Sequence, residues 1–250
     1  MCLACAVCVY AALYGVYGSV KDNYAACASF AEAFVPVFSA AVSASGYVTA
    51  AASFAASYTG AIALFAWISS SLVPMCLQIY TVLGLAHCCS GNEGLRSASL
   101  LVKRVCVWGL LAVSCILNGV IGLNVSVSAS GDGVSMQTVK FVLGTVIPFV
   151  GSTASESAEA VFSCSAAIKG SMGALGMLVI FCILVPSLVG ILTSLGAVRI
   201  VMAFNDLVGN VSISSFLSYI SDSLQITTAV CVCSAIVLIT GLGIATGVGG

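Results

Sequence analysis

Of the 250 residues, 7 are Lys or Arg and 8 are Asp or Glu, so 6% of the chain is charged, against roughly a quarter in a soluble domain. With 61% apolar residues and a mean hydropathy of +1.21, too little polar surface remains to cover a water-soluble globule. The lipid bilayer is the solvent this composition calls for, and at about 20 residues per crossing the length allows at most seven or so spans. A net charge of -1 leaves no basic stripe for nucleic acid, which is excluded as a partner.

Residues 2–19, CLACAVCVYAALYGVYGS, form a first apolar run closed by Lys21, Asp22 and Asn23. No Lys or Arg precedes it, so the positive n-region of a signal peptide is missing and the run reads as a span. Its Cys2, Cys5 and Cys8 have the spacing of iron–sulfur ligands, but no fourth Cys-Pro follows. Over 22–45, Asp22, Ser29, Glu32, Pro36, Ser39 and Ser43 recur in steps of three, four and seven, opposite Tyr24, Cys27, Ala28, Ala31, Val35 and Phe38. That periodicity predicts an amphipathic helix with an acid, Glu32, at its middle and a kink at Pro36.

Residues 47–86 are too long for one short crossing. A long helix kinked at Pro74 and two spans meeting near Ser69, Ser70 and Ser71 both fit; 60–86 is the firmer span. His87-Cys88-Cys89 reads as a helix terminus rather than a chelating set. Gly91 and Asn92 then open EGLRSASLLVKR, an interfacial helix over 92–104 carrying Arg96, Lys103 and Arg104. Three of the seven cations within nine residues place it on the cytoplasmic side. The cleanest span, 105–123, delivers the polar loop NVSVSASGDGVSMQ to the other side; there Gly131-Asp132-Gly133 is a turn signal.

Between 138 and 172 the apolar run before Gly151 is too short to cross, and Gly144, Pro148 and Gly151 interrupt it, which predicts a broken or re-entrant segment. After it, Glu156 and Glu159 share a helical face with Ser152 and Ser163, and Lys169 follows. Intramembrane carboxylates lining a pathway and acids facing water on a solvated helix are both compatible with that stripe. Residues 173–196 make another span, with Pro186 at its middle and Gly173 and Gly176 on a small-residue face. Arg199 and Asp206 lie seven residues apart beyond it. Residues 211–225 alternate Ile213, Phe216, Leu217, Ile220 and Leu224 against Ser214, Ser218, Ser221 and Asp222, an interfacial amphipathic helix, and 228–247 form the last span. The expected fold is all-α: a single polytopic integral membrane helical bundle, with kinked or re-entrant segments and interfacial amphipathic helices.

No catalytic residue, cofactor site or metal site is expected. His87 is the only histidine and no GxSxG string occurs, which speaks against a serine hydrolase; no GxxxxGK[ST] string occurs either, so the chain has no motor of its own. Glu156 and Glu159 sit one turn apart rather than on facing helices, unlike an aspartyl protease pair.

The strings EGLRSASLLVKRVCVWGLLAV, VSMQTVKFVLGTVIPFVGSTASESAEAV and GALGMLVIFCILVPSL, in this order, resemble the stage III sporulation protein AE family. Its K-F-x-x-G-x-x-I-P-x-V-G pattern is met by Lys140, Phe141, Gly144, Ile147, Pro148, Val150 and Gly151, and the following Ser-Glu pair by Ser155 and Glu156. AEAFVPVFSAAVSASG is similar to the family's Pro-containing stretch ending at Ala44-Ser45-Gly46, so the likeness covers roughly residues 20–247. Two departures stand out: the family's N-terminal signal and upstream polar region have no counterpart here, and Cys and Ala are unusually frequent.

The resemblance implies a permease- or channel-like subunit of the assembly joining mother cell and forespore in endospore-forming bacteria. It would sit in the mother-cell membrane around the forespore, with an ATPase and ring-forming proteins as partners. On that reading Pro148, Gly144, Gly151, Glu156, Glu159 and Lys169 line or gate a pathway, with Glu32 and Asp206 as further polar candidates. The rival expectations are a non-transporting scaffold that binds partners through Arg96, Lys103 and Arg104, and an unrelated small multispan transporter.

Overall fold

The computed structural model describes residues 2–146, 151–208 and 211–247, with side chains over 13–88, 90–133, 163–207 and 213–247. All secondary structure among these residues is helical: α1 (Cys2–Ala44), α2 (Val48–Trp67), a π turn (Ile68–Leu72), α3 (Val73–Ser90), α4 (Glu93–Val146), α5 (Gly151–Val208) and α6 (Val211–Thr246). In lipid a backbone must satisfy its own polar groups, and only helix or closed barrel does so, which is why so apolar a chain resolves into helices alone. Among the described residues, two tight connections carry the only positive φ angles, both at glycine: Gly46 (φ 95) between α1 and α2, and Gly91 (φ 66) between α3 and α4. The Gly91 N–H donates to the His87 carbonyl at 2.8 Å, closing α3 with a left-handed cap.

Five helical stretches are long and apolar enough to cross a membrane: Leu13–Ala44, Val48–Cys88, Glu93–Gly133, Ser163–Leu207 and Ile213–Thr246. The chain is a multi-pass membrane protein on this measure. Each helical path contributes to both of two compact units, one made of Met1–Cys27, Leu64–Ser114 and Cys182–Ala235, the other of Ala28–Ala63, Cys115–Phe181 and Ile236–Gly250.

In the first unit Tyr24 packs on Phe65 with ring centroids 5.4 Å apart, and Tyr80, Leu224, Ile226, Val230 and Cys231 are also buried. In the second, a ladder of rings runs Phe30, Phe34, Phe38, Phe54, Tyr58, with centroids 5.1–5.7 Å apart at each step. The Tyr58 hydroxyl ends this ladder by donating to the Leu238 carbonyl at 2.8 Å. Lipid tails are as apolar as these side chains, so close approach and polar pairing hold such helices together. Gly176 supplies the first: a Cβ there would lie 2.8 Å from the Phe34 ring.

Several expected boundaries are absent. Residues 22–45, 92–104 and 211–225, read as separate interfacial helices, continue into the neighbouring apolar runs as parts of α1, α4 and α6. The expected polar loop over 124–137 is helix within α4. Its polar groups find partners without breaking the helix: Ser130 Oγ donates to the Ser126 carbonyl at 2.9 Å, and Ser53 and Ser128 share a hydrogen bond of 2.6 Å. Residues 138–146 and 151–172 are helical in α4 and α5; Pro148, at the expected break, lies outside the described residues. Residues 48–90 form one continuous helical path, with the π turn just before Pro74.

Candidate functional site

Among the described residues, ionisable side chains meet in the first unit, and two buried ones, Asp132 and Lys169, lie in the second. In the first unit, Arg96, Ser99 and Lys103 follow at helical spacing on α4, while Ser218, Asp222 and Gln225 do so on α6. Lys103 Nζ donates to Asp222 Oδ1 at 2.7 Å and to Gln225 Oε1 at 2.8 Å. From α3 the buried Tyr80 hydroxyl donates to Asp222 Oδ2 at 2.9 Å. Both carboxylate oxygens therefore have a donor. The pair is part-buried, and each partner replaces some of the water the other has lost. Tyr80 is held in turn by Tyr219, ring centroids 5.7 Å apart, and Tyr219 lies against Gly84, where a Cβ would come 2.8 Å from its ring.

Two cavities flank this cluster. A polar one of about 300 Å³ is lined by His87, Arg96, Met202, Ser214, Ser218 and Asp222 among others. An apolar one of about 330 Å³ is lined by Leu111, Leu195, Gln225, Thr228, Ala229 and Val232. His87 Nδ1 is 2.9 Å from the Asn92 carbonyl oxygen, so that nitrogen carries the proton. Among the described residues no group of three metal-ligating side chains occurs.

In the second unit Asp132, 8% exposed, meets the start of α2. Its Oδ2 accepts the Ala50 N–H at 2.8 Å and its Oδ1 the Thr49 hydroxyl at 2.5 Å, so a carboxylate from α4 caps a helix it does not belong to. Lys169 is also buried, at 3% exposure, with its ammonium 5.8 Å from the centre of the Tyr47 ring.

The residues singled out from the sequence fall in different places. Lys103 turns inward to Asp222, whereas Arg96 and Arg104 are exposed, Arg96 within 3.7 Å of Glu93. Glu32 is exposed on α1; Asp206 is exposed on α5 and accepts the Ser214 hydroxyl at 2.6 Å. Gly144 lies in α4 and Gly151 begins α5, while the side chains of Glu156 and Glu159 and the whole of Pro148 lie outside the described residues. The sequence places Asp222 only on the polar face of an interfacial helix and Asp132 only in a turn signal, and it does not mark Gln225 or Tyr80. A signal for Gln225 is present: Ser218, Asp222 and Gln225, at steps of four and three, carry a polar stripe straight into the last apolar run.

No solved structure matches the chain. One curated relative, stage III sporulation protein AE of Bacillus subtilis (strain 168), is 24% identical over 155 residues, which is 62% of this chain and 39% of that protein. The chain thus aligns with well under half the relative's length. The family model for stage III sporulation protein AE matches residues 1–249, and the chain belongs to that family.

Proposed function

We propose that this protein is a permease- or channel-like membrane subunit of the sporulation complex that connects mother cell and forespore, with no catalysis of its own. The family itself suggests a role in sporulation. The observation that supports a transport role is the Lys103–Asp222 pair, bridged to Tyr80 and Gln225 where α3, α4 and α6 meet and flanked by two cavities. A lysine and an aspartate paired between apolar helices are costly to keep there and mark a candidate functional site. Such a subunit works in the mother-cell membrane around the forespore, and an ATPase and ring-forming partners supply the energy and the conduit. Glu156 and Glu159, on the segment closest to the family pattern, are further candidates for a transport role.

The test is a Lys103→Met/Asp222→Leu protein in the sporulating host, which removes both charges together. Heat-resistant spores are lost while the protein's abundance in the membrane stays normal. Normal sporulation overturns the transport role of the pair. A scaffold is the second reading, favoured by the exposure of Arg96 and Arg104 at the start of α4. Charge reversal at these two, R96E/R104E, separates the readings: a scaffold loses co-purification of its partners, whereas a transport subunit keeps it.

A further inference from the structure

The two cavities that flank the Lys103–Asp222 pair lie along one face of α6. Ser218, Asp222, Gln225, Ala229 and Val232 follow at steps of four, three, four and three, the first two lining the polar cavity and the last three the apolar one. The same order holds on the flanking helices: Arg96 and Leu100 of α4 border the polar cavity and Leu111 the apolar one, while Met202 and Leu195 of α5 divide likewise. Lys103 stands at the boundary, since its ammonium bonds Asp222 on one side and Gln225 on the other. Polar and then apolar lining along a single helix face is the order of a headgroup followed by a chain. Each cavity reaches the lower end of the size range of small-molecule sites. The apolar part is open to its surroundings, because Val232 and Leu111 on its walls are 40% and 37% exposed.

Charge selects the headgroup. Arg96 lines the polar cavity and Lys103 lies at its edge; opposed to them are Asp222, which also lines it, Asp206, which holds the lining Ser214, and Glu93 beside Arg96. An anion without a compensating charge meets these carboxylates, and a simple cation meets the guanidinium. A zwitterion satisfies both.

We propose that this groove binds one phospholipid whose headgroup carries a phosphate and a primary ammonium, of the phosphatidylethanolamine type. The phosphate sits by Arg96 and the hydroxyl of Ser218, the ammonium turns toward Asp206, and an acyl chain lies over Ala229 and Val232.

The experiment is native mass spectrometry of the full chain released from nanodiscs of phosphatidylethanolamine mixed equally with phosphatidylglycerol, or with phosphatidylcholine. One phosphatidylethanolamine per chain is retained in preference to either competitor. Arg96→Ala, at an exposed position, reduces that retention about tenfold, as expected for loss of one charge-assisted hydrogen bond to phosphate. Ala229→Trp fills the apolar part and abolishes it. Soluble phosphoethanolamine in excess leaves the lipid in place, because the chain contributes to binding. Equal retention of phosphatidylglycerol, of phosphatidylcholine, or of lipid by both variants overturns the assignment, and displacement by phosphoethanolamine would identify a soluble ligand instead. Bound lipid is measured directly, so the outcome is independent of whether the protein transports.

Discussion

A charge taken out of water costs several kcal/mol unless a partner and hydrogen bonds replace the lost solvation, and removing one partner of an enclosed pair is worse than removing both. Lys103 and Asp222 meet that condition, with side-chain exposures of 23% and 18% and four hydrogen-bonding groups converging. Lys103→Met alone and Asp222→Leu alone should therefore each lower stability by about 3 kcal/mol, while the double variant loses clearly less than their sum. Denaturant unfolding of the purified protein in detergent measures this, and additive losses would remove the pair from the account of the site. Glycines divide by what a methyl group would meet. Gly84→Ala collides with the Tyr219 ring at 2.8 Å and should cost about 1–3 kcal/mol. Gly109, with nothing within 4 Å of a Cβ, should accept alanine with no loss of stability in the same assay. Spacing alone placed Lys103 on a polar stripe with Arg96, but the direction that stripe faces depends on α6, more than 100 residues away in sequence.

The clearest element-level device is the π turn before Pro74. Within it the Val73 N–H donates to the Ile68 carbonyl, one residue further back than in an α-helix. The Ser69 carbonyl then has lost its α-helical donor, Val73, and its π-helical donor position is Pro74, which has no N–H. The Tyr17 hydroxyl from α1 donates to that carbonyl instead, in a buried contact. Tyr17→Phe should thus leave a buried carbonyl unpaired and cost about 1–3 kcal/mol. Pro74→Ala restores an N–H at the position the π pattern requires, so in that background Tyr17→Phe should cost distinctly less. Equal costs in both backgrounds, read by the same unfolding assay, would show that the hydroxyl does not serve this carbonyl. Pro74 and the three serines before it announced an irregularity in the sequence. Its repair was not legible, because the repairing hydroxyl belongs to a helix whose register against Ser69 is set by packing. Asp132 follows the same rule: a Gly-Asp-Gly string carries a local turn signal, and only the neighbouring start of α2 converts it into a cap supplied from mid-helix.

At the scale of the molecule, the apolar runs located the spans, but each described stretch is 32–45 residues long rather than about 20. The difference has a physical cause. Charged and hydroxyl-bearing residues mark the end of an apolar run without ending a helix, because serine and threonine return their hydroxyls to carbonyls three or four residues back, as Ser99, Ser114 and Thr228 do. At 1.5 Å per residue such helices reach roughly 48–68 Å, against a hydrocarbon core of about 30 Å, so their ends stand clear of the bilayer or the helices tilt strongly. Orientation then rests on Arg96, Lys103 and Arg104, whose clustering predicts a cytoplasmic start for α4, with Val48–Cys88 as the preceding candidate crossing. In a chain cleared of its thirteen native cysteines, Asn92→Cys should react with a membrane-impermeant maleimide only in inverted vesicles. Val48→Cys, at a position 61% exposed beside the first tight turn, should react only in intact cells. Labelling of both from the same side would mean that the 41-residue path between them does not cross, and the cytoplasmic placement of Arg96 and Arg104, on which the partner-binding alternative depends, would lose its support.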